Sequence, residues 1–282
     1  MEETTSQERV KVNRNSLRCR IKKYHLAIMR AGVLLVAVAI LMPYIFIQPA
    51  SAEGEESSAS QVFTVAPDST NYGKQYKKKK KYKGPSKFSG EVAAIESRSS
   101  KTEQGRVLFV GSSSIRKWTT LESDMAPLQV QNHGFGGSTV NDCVYYANRL
   151  IVPYKPEAIV FYAGTNDIAF GYSPAVVYAR TLDFISYIHK ALPGTPIYYI
   201  EQTRQPKRNK YWKKMKSLNS KMKKYAKIDP LVTYIDTRKA LNTKKDKARK
   251  QYFVKDKLHF NSKGYAVWTS VIRPVLYRDL LK

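Results

Sequence analysis

Five short strand-like runs constrain this chain more than any other feature: the apolar RVLFVG (106–111), AIVFYAG (158–164), PIYYIEQ (196–202) and LVTYID (231–236), and the shorter, weaker LQVQN (128–132). A continuous apolar run of this length suits a strand buried on both faces, because a strand with one wet face would alternate. Helical patterns separate the runs, over residues 139–150, 174–192 and a long stretch from Arg208 through YWKKMKSLNSKMKKYAK. A short amphipathic helix is expected over 88–99, and a last helix over 262–280. Strand–helix alternation at this spacing predicts βαβ units, hence a parallel sheet of about five strands with helices on both faces. Sites in such sheets form at the carboxyl ends of the strands, so the chemistry is to be sought there.

The first 87 residues read differently. Residues 1–25 are polar and basic, and residues 26–47 form the apolar segment LAIMRAGVLLVAVAILMPYIFI, with Arg30 as its only charge. As a helix this segment would extend about 33 Å, enough to span a bilayer core. Basic residues crowd its N-terminal flank, whereas the other flank carries Glu53, Glu55 and Glu56. The positive-inside rule then leaves residues 1–25 in the cytoplasm and everything after Ile47 outside. Ala50-Ser51-Ala52 also fits a small-x-small cleavage site, so the segment is either an uncleaved anchor or a signal removed near Ala52. Residues 48–87 read as a disordered linker, first acidic and Ser-rich, then YGKQYKKKKKYKGPSK. The Lys77–Lys81 run suits contact with anionic wall polymer or lipid. The globular domain is expected over residues 88–282.

Composition narrows the partners. Lys and Arg number 49 against 22 Asp and Glu, a net charge of +27, which favours an anionic neighbour. The two cysteines, Cys19 and Cys143, flank the apolar segment, which excludes a disulfide framework and a cysteine-rich zinc site. No HExxH, paired-carboxylate or phosphate-loop spacing occurs, so no metal and no cofactor is expected.

Four polar clusters stand where the sheet should present its chemistry. Gly111-Ser112-Ser113-Ser114 follows the first run, Asn132-His133-Gly134-Phe135-Gly136-Gly137-Ser138-Thr139 the second, and Gly164-Thr165-Asn166-Asp167 the third; Asp256-Lys257-Leu258-His259 comes near the C-terminus. In this order the four blocks resemble the SGNH (GDSL-type) hydrolase family of esterases, over residues 88–282. The resemblance implies a three-layer, flavodoxin-like fold and ester hydrolysis. It makes Ser113 the nucleophile and Asp256 and His259 its triad partners. The oxyanion hole would be formed by Ser113, Gly137 and Asn166. Ser112 stands where the family has aspartate; altered local hydrogen bonding is expected there rather than loss of activity.

The residues support this reading on their own chemistry. A serine hydroxyl is a weak nucleophile until a base takes its proton, and imidazole titrates near neutral pH. Asp256, three residues before His259, can hold the ring's other N–H from the same turn. Two backbone N–H groups and the Asn166 amide would surround the oxyanion formed on attack. Glycine at 137 avoids a Cβ that would block substrate or forbid the backbone angles. Other candidates have plainer readings. His25 is interfacial, His189 belongs to a solvated or core-edge helix position, and His133 could line the pocket. Asp236 ends a run but lacks the DxxH spacing. Asp167 is expected to brace its turn, Asp142 to cap a helix, and Cys143 to pack as a small hydrophobe.

The expected function is therefore an extracytoplasmic serine esterase acting on small acyl esters, such as O-acetyl groups of carbohydrates or wall polymers. An O-acyltransferase using the same serine is the alternative. A third is a binding protein for anionic polymers, suggested by the basic residues 204–227 with Tyr211, Trp212 and Tyr225 interleaved. Export past a membrane argues against nucleic acid.

Overall fold

The computed structural model describes residues 82, 84–99, 101 and 106–281. Residues 26–47 and the Lys77–Lys81 run lie outside them. Among the described residues no helix is long and apolar enough to cross a membrane.

The elements follow in chain order. Helix α1 (Ser89–Arg98) leads into β1 (Val107–Gly111), the short helices α2 (Ser113–Arg116) and α3 (Leu121–Met125), and β2 (Val130–Gly134). Next come α4 (Val140–Tyr145), α5 (Ala147–Leu150), β3 (Ala158–Tyr162), α6 (Thr165–Ala169) and α7 (Pro174–Ala191). The chain closes with β4 (Ile197–Ile200), α8 (Trp212–Tyr225), β5 (Val232–Ile235), α9 (Arg238–Leu241) and α10 (Ser262–Leu280).

The strands form one parallel five-stranded sheet in the order β2-β1-β3-β4-β5. Each strand sends alternate residues to opposite faces. Leu108, Val110, Ile159 and Phe161 pack with α1, α4, α7 and α8, whereas Val107, Phe109, Val160 and Tyr162 pack with α3 and α10. That is why the runs behind β1, β3 and β4 are apolar throughout: neither face of these strands sees water. Helices on both faces give three layers, as expected for a doubly wound fold. Because β1 lies between β2 and β3, successive connections leave it in opposite directions, and a crevice opens at its carboxyl end.

Three boundaries differ from the sequence reading. The second strand begins two residues later, at Val130, because Leu128 belongs to the turn after α3 and caps its apolar cluster. The helix expected over 139–150 breaks at Tyr146, whose φ of −94° and ψ of 5° separate α4 from α5. The long helix expected from Arg208 begins as α8 at Trp212; before it, Pro206–Tyr211 forms a 3-10 turn in which Arg208 departs from helical angles.

Packing onto the domain begins ahead of α1. Phe88, in the 3-10 turn Pro85–Phe88, is buried against Phe135, and the Tyr146 hydroxyl donates to the Pro85 carbonyl at 2.9 Å.

Candidate active site

β1 ends at Gly111, the residue on which the site depends sterically. Its φ is +148°, and a Cβ there would stand 2.1 Å from the Tyr162 carbonyl oxygen of β3. Only glycine lets β1 run this close to β3 before the chain turns. The Ser112 N–H then donates to that same Tyr162 carbonyl at 3.0 Å, and Ser113 opens α2. Ser112 itself is buried. It keeps the backbone path despite standing where the resemblance leads one to expect aspartate.

The residues after β2 are drawn to the same end. The Phe135 N–H donates to the Gly111 carbonyl at 3.0 Å, and the Ser138 hydroxyl donates to the Gly111 and Phe135 carbonyls at 3.2 and 3.1 Å. Gly137 has φ +75°, and an added Cβ would meet nothing within 4 Å. The requirement for glycine is therefore conformational, and the space before it is open. Glu91 of α1 supports the loop from outside: its carboxylate accepts from the Gly136 N–H at 2.7 Å and pairs with Arg116 at 3.3 Å. Among the described residues neither the Ser113 N–H nor the Gly137 N–H donates a hydrogen bond. From the end of β3, the buried Asn166 donates its amide Nδ2 to the Ser138 carbonyl at 2.8 Å.

The loop before α10 supplies the base. Asp256 Oδ1 accepts from the backbone N–H groups of Leu258 and His259 at 2.8 and 2.9 Å, forming a tight turn in which Lys257 adopts φ +57°. Oδ2 lies 2.6 Å from His259 Nδ1. Partial burial works against the carboxylate, but these N–H donors outweigh it and hold its pKa down to about 2. An ionised Asp256 can only accept, so His259 carries its proton on Nδ1. Nε2 is then free to accept from the Ser113 hydroxyl, 2.8 Å away. Ser113 and His259 are 146 positions apart in sequence, and the fold sets them in hydrogen-bond contact.

An open depression of about 500 Å³ lies beside this relay, lined by Arg116, Lys117, Thr119, Val254, His259 and Phe260. A larger one of about 1010 Å³ surrounds His189, Asp229 and Ile228 ahead of β5, away from the serine. Among the described residues no group of three or more His, Cys, Asp or Glu side chains could hold a metal ion.

The remaining candidates do other work. His133 is fully buried rather than lining the pocket: its Nδ1–H donates to the Leu150 carbonyl at 2.6 Å, and its ring meets Tyr154 edge-on. Burial drives its pKa down to about 4, so it is a neutral core histidine. His189 faces Asp229 at 3.7 Å at the edge of the core. Asp142 caps α4 in a reciprocal box with Thr139, accepting from its N–H at 2.7 Å, and receives the Tyr82 hydroxyl. The Asp167 carboxylate accepts from its own backbone N–H and also reaches beyond its own turn. It accepts from the Val140 N–H at 3.1 Å and pairs with buried Arg180 at 3.2 Å, tying α4, α6 and α7 together. Asp236 sits beside Lys223 at 3.3 Å and close to Glu201, away from His259. Cys143 is buried. Two supporting residues escaped the sequence reading, Glu91 and Arg208. Both act across long sequence separations, and no local spacing marks them.

A hydroxyl, an imidazole and a carboxylate in relay, beside unengaged N–H donors at a switch point of a parallel sheet, are the equipment of acyl transfer through a serine. Residues 102–267 match the family model described as the GDSL-like Lipase/Acylhydrolase family, and the chain belongs to that family as an ester hydrolase. The fold recurs in solved structures of low sequence identity. A protein from Streptococcus pneumonia named after platelet activating factor is 17% identical, with 68% of this chain and 92% of that one covered at a TM-score of 0.60. A GDSL-like lipase from Bacteroides thetaiotaomicron is 20% identical, with coverages of 70% and 98% and a TM-score of 0.57. A member of the lipolytic G-D-S-L family from Veillonella parvula is 19% identical, with coverages of 61% and 98% and a TM-score of 0.52. No curated protein matches the sequence.

Proposed function

We propose that this chain is an extracytoplasmic serine esterase that removes short acyl groups, O-acetyl above all, from wall or surface glycans. The observation that carries the reading is the unbroken relay Asp256–His259–Ser113, with contacts of 2.6 and 2.8 Å. As the Ser113 oxygen attacks the ester carbonyl, His259 Nε2 takes the hydroxyl proton, and ionised Asp256 steadies the resulting imidazolium through Nδ1–H. Negative charge gathers on the former carbonyl oxygen. The N–H groups of Ser113 and Gly137 and the second N–H of Asn166 Nδ2 receive it. The imidazolium then protonates the departing alcohol oxygen. Water, deprotonated by the same His259, attacks the acyl-serine; the intermediate then expels the Ser113 oxygen, which takes the proton back from His259, and the acid is released.

Two features support a glycan or other polymer as the alcohol side. The depression beside His259 is open and flanked by Arg116 and Lys117, which suits a large anionic substrate better than a long buried acyl chain. The apolar segment 26–47 and the lysine-rich stretch after it are suited to hold the enzyme at a membrane or wall surface, with the N-terminus inside or the leader removed near Ala52. The test is turnover of p-nitrophenyl acetate and of an O-acetylated glycan, with products followed in the presence and absence of a glycan acceptor. Acetate release from both esters is expected. Acetyl transfer to the acceptor in place of release would make the protein a transferase, and inertness toward both esters would end the proposal.

A further inference from the structure

The Asn166 side chain is held from both ends by groups that leave it no choice of orientation. The Ser138 carbonyl, 2.8 Å from Nδ2, can only accept, and the guanidinium of Arg208, 2.7 Å from Oδ1, can only donate. A flipped amide would set donor against donor and acceptor against acceptor, so the second Nδ2 hydrogen has one available direction. Arg208 is brought there by an irregular piece of backbone. The 3-10 turn Pro206–Tyr211 takes φ −107° and ψ 18° at this residue, and the Lys207 N–H beside it donates to the Lys257 carbonyl at 2.9 Å. The turn that carries Arg208 is thus pinned to the loop that carries Asp256 and His259. Among the described residues Arg208 forms no ion pair, and partial burial pulls its pKa below the ordinary arginine value. Even partial desolvation of a guanidinium without a carboxylate carries a cost, and the hydrogen bond to one amide oxygen is a weak structural reason for it.

We propose that Arg208 is a positioning residue for ester hydrolysis: through Oδ1 it locks the Asn166 amide and polarises it, so that the free Nδ2–H is aimed and strengthened as an oxyanion donor. A charge-assisted hydrogen bond at one end of an amide makes the N–H at the other end a better donor, and this matters most when full negative charge develops on the substrate. Arg208 therefore acts on the transition state through Asn166 and leaves ground-state binding of a neutral ester nearly untouched. The inference rests on the esterase reading and adds a residue to it.

A double-mutant cycle on the full chain with p-nitrophenyl acetate tests this. Arg208→Met is expected to lower kcat about 10- to 100-fold with KM changed less than about threefold, and Asn166→Ala to lower kcat about 100- to 1000-fold. The double variant should fall within about threefold of Asn166→Ala, since Arg208 has nothing to act through once the amide is gone. Arg208→Lys, which keeps charge but not the fork, should recover part of the loss and serves the same cycle if the methionine variant does not fold. Losses that multiply would overturn the proposal, as would a rise confined to KM, which would make Arg208 a substrate-binding group. A crystal structure of Arg208→Met gives a readout independent of turnover: Asn166 is expected to leave the Ser138 carbonyl or lose a single orientation, and an unchanged Asn166 counts against the idea. Wild type that is inert toward the ester while Asn166 still shifts in the variant would point to failure of the esterase reading instead.

Discussion

At the scale of single residues, backbone angles and burial decide behaviour more than residue type does. Gly137 has φ +75° in open space, so Gly137→Ala costs about 1–2 kcal/mol in backbone strain without a clash. The loop can relieve that strain by rotating the 137 N–H away from the site. Loss of one oxyanion donor then predicts a drop in kcat of about 100-fold, with thermal unfolding shifted by only a few degrees; an alanine variant at full activity would remove Gly137 from the hole. His133 carries a different kind of prediction. Its folded pKa of about 4 lies below the ordinary 6.5, so the unfolded chain binds a proton that the fold refuses. Stability from this group is complete above pH 6.5 and is lost as pH falls from there toward 4, by on the order of 3 kcal/mol. Asp142 and Glu201 act with opposite sign, because burial raises their pKa values to about 8 and about 7. Their contribution is common to wild type and His133→Gln and cancels in the difference. Urea unfolding should therefore show the stability gap between the two proteins narrowing between pH 6.5 and 4. The sequence reading put His133 past the second strand, whereas β2 runs on to Gly134 and includes it; which way its side chain turns depends on the Leu150 carbonyl and Tyr154, and no spacing reveals them.

Among elements, the buried pair Arg180–Asp167 joins α6 and α7 and also holds the first N–H of α4, with side-chain exposures of 5% and 0%. Burial raises the Asp167 pKa although Arg180 opposes the rise, the mark of a charge that depends on its partner. Asp167→Ala would take from the buried Arg180 its carboxylate partner and from α4 its first N–H acceptor, and a loss of about 3–5 kcal/mol in urea denaturation is expected. A loss under about 1 kcal/mol would show that water or another acceptor replaces the carboxylate. Strands were legible wherever both faces are covered: β1, β3 and β4 lie within the apolar runs. β2 was read two residues early because its polar Gln131 and Asn132 blur the run against the preceding turn. The break at Tyr146 and the turn Pro206–Tyr211 were hidden in helical patterns, although Pro206 was a local sign that a regular helix starts later. Taking residues 204–227 together as a basic segment with interleaved aromatics gave no sign that Arg208 reaches Asn166.

For the molecule as a whole, the parallel order β2-β1-β3-β4-β5 explains why residues from four distant blocks can work together. Serine follows β1, the glycine loop follows β2 on one side of it, and asparagine follows β3 on the other. The DxxH turn closes over them from the start of α10. Those blocks were legible because each sits at a strand end or in a tight turn where spacing is short; Glu91 and Arg208 were not, because their contacts cross 45 and 42 residues. The central claim is that Ser113 is made nucleophilic by His259. Its most direct test is labelling of the full chain with a fluorophosphonate, followed by peptide mass mapping. The label should fall on Ser113, vanish in Ser113→Ala and slow by at least about 100-fold in His259→Ala, since relay members act as a unit. Labelling on another serine, or an unchanged rate without His259, would contradict the account.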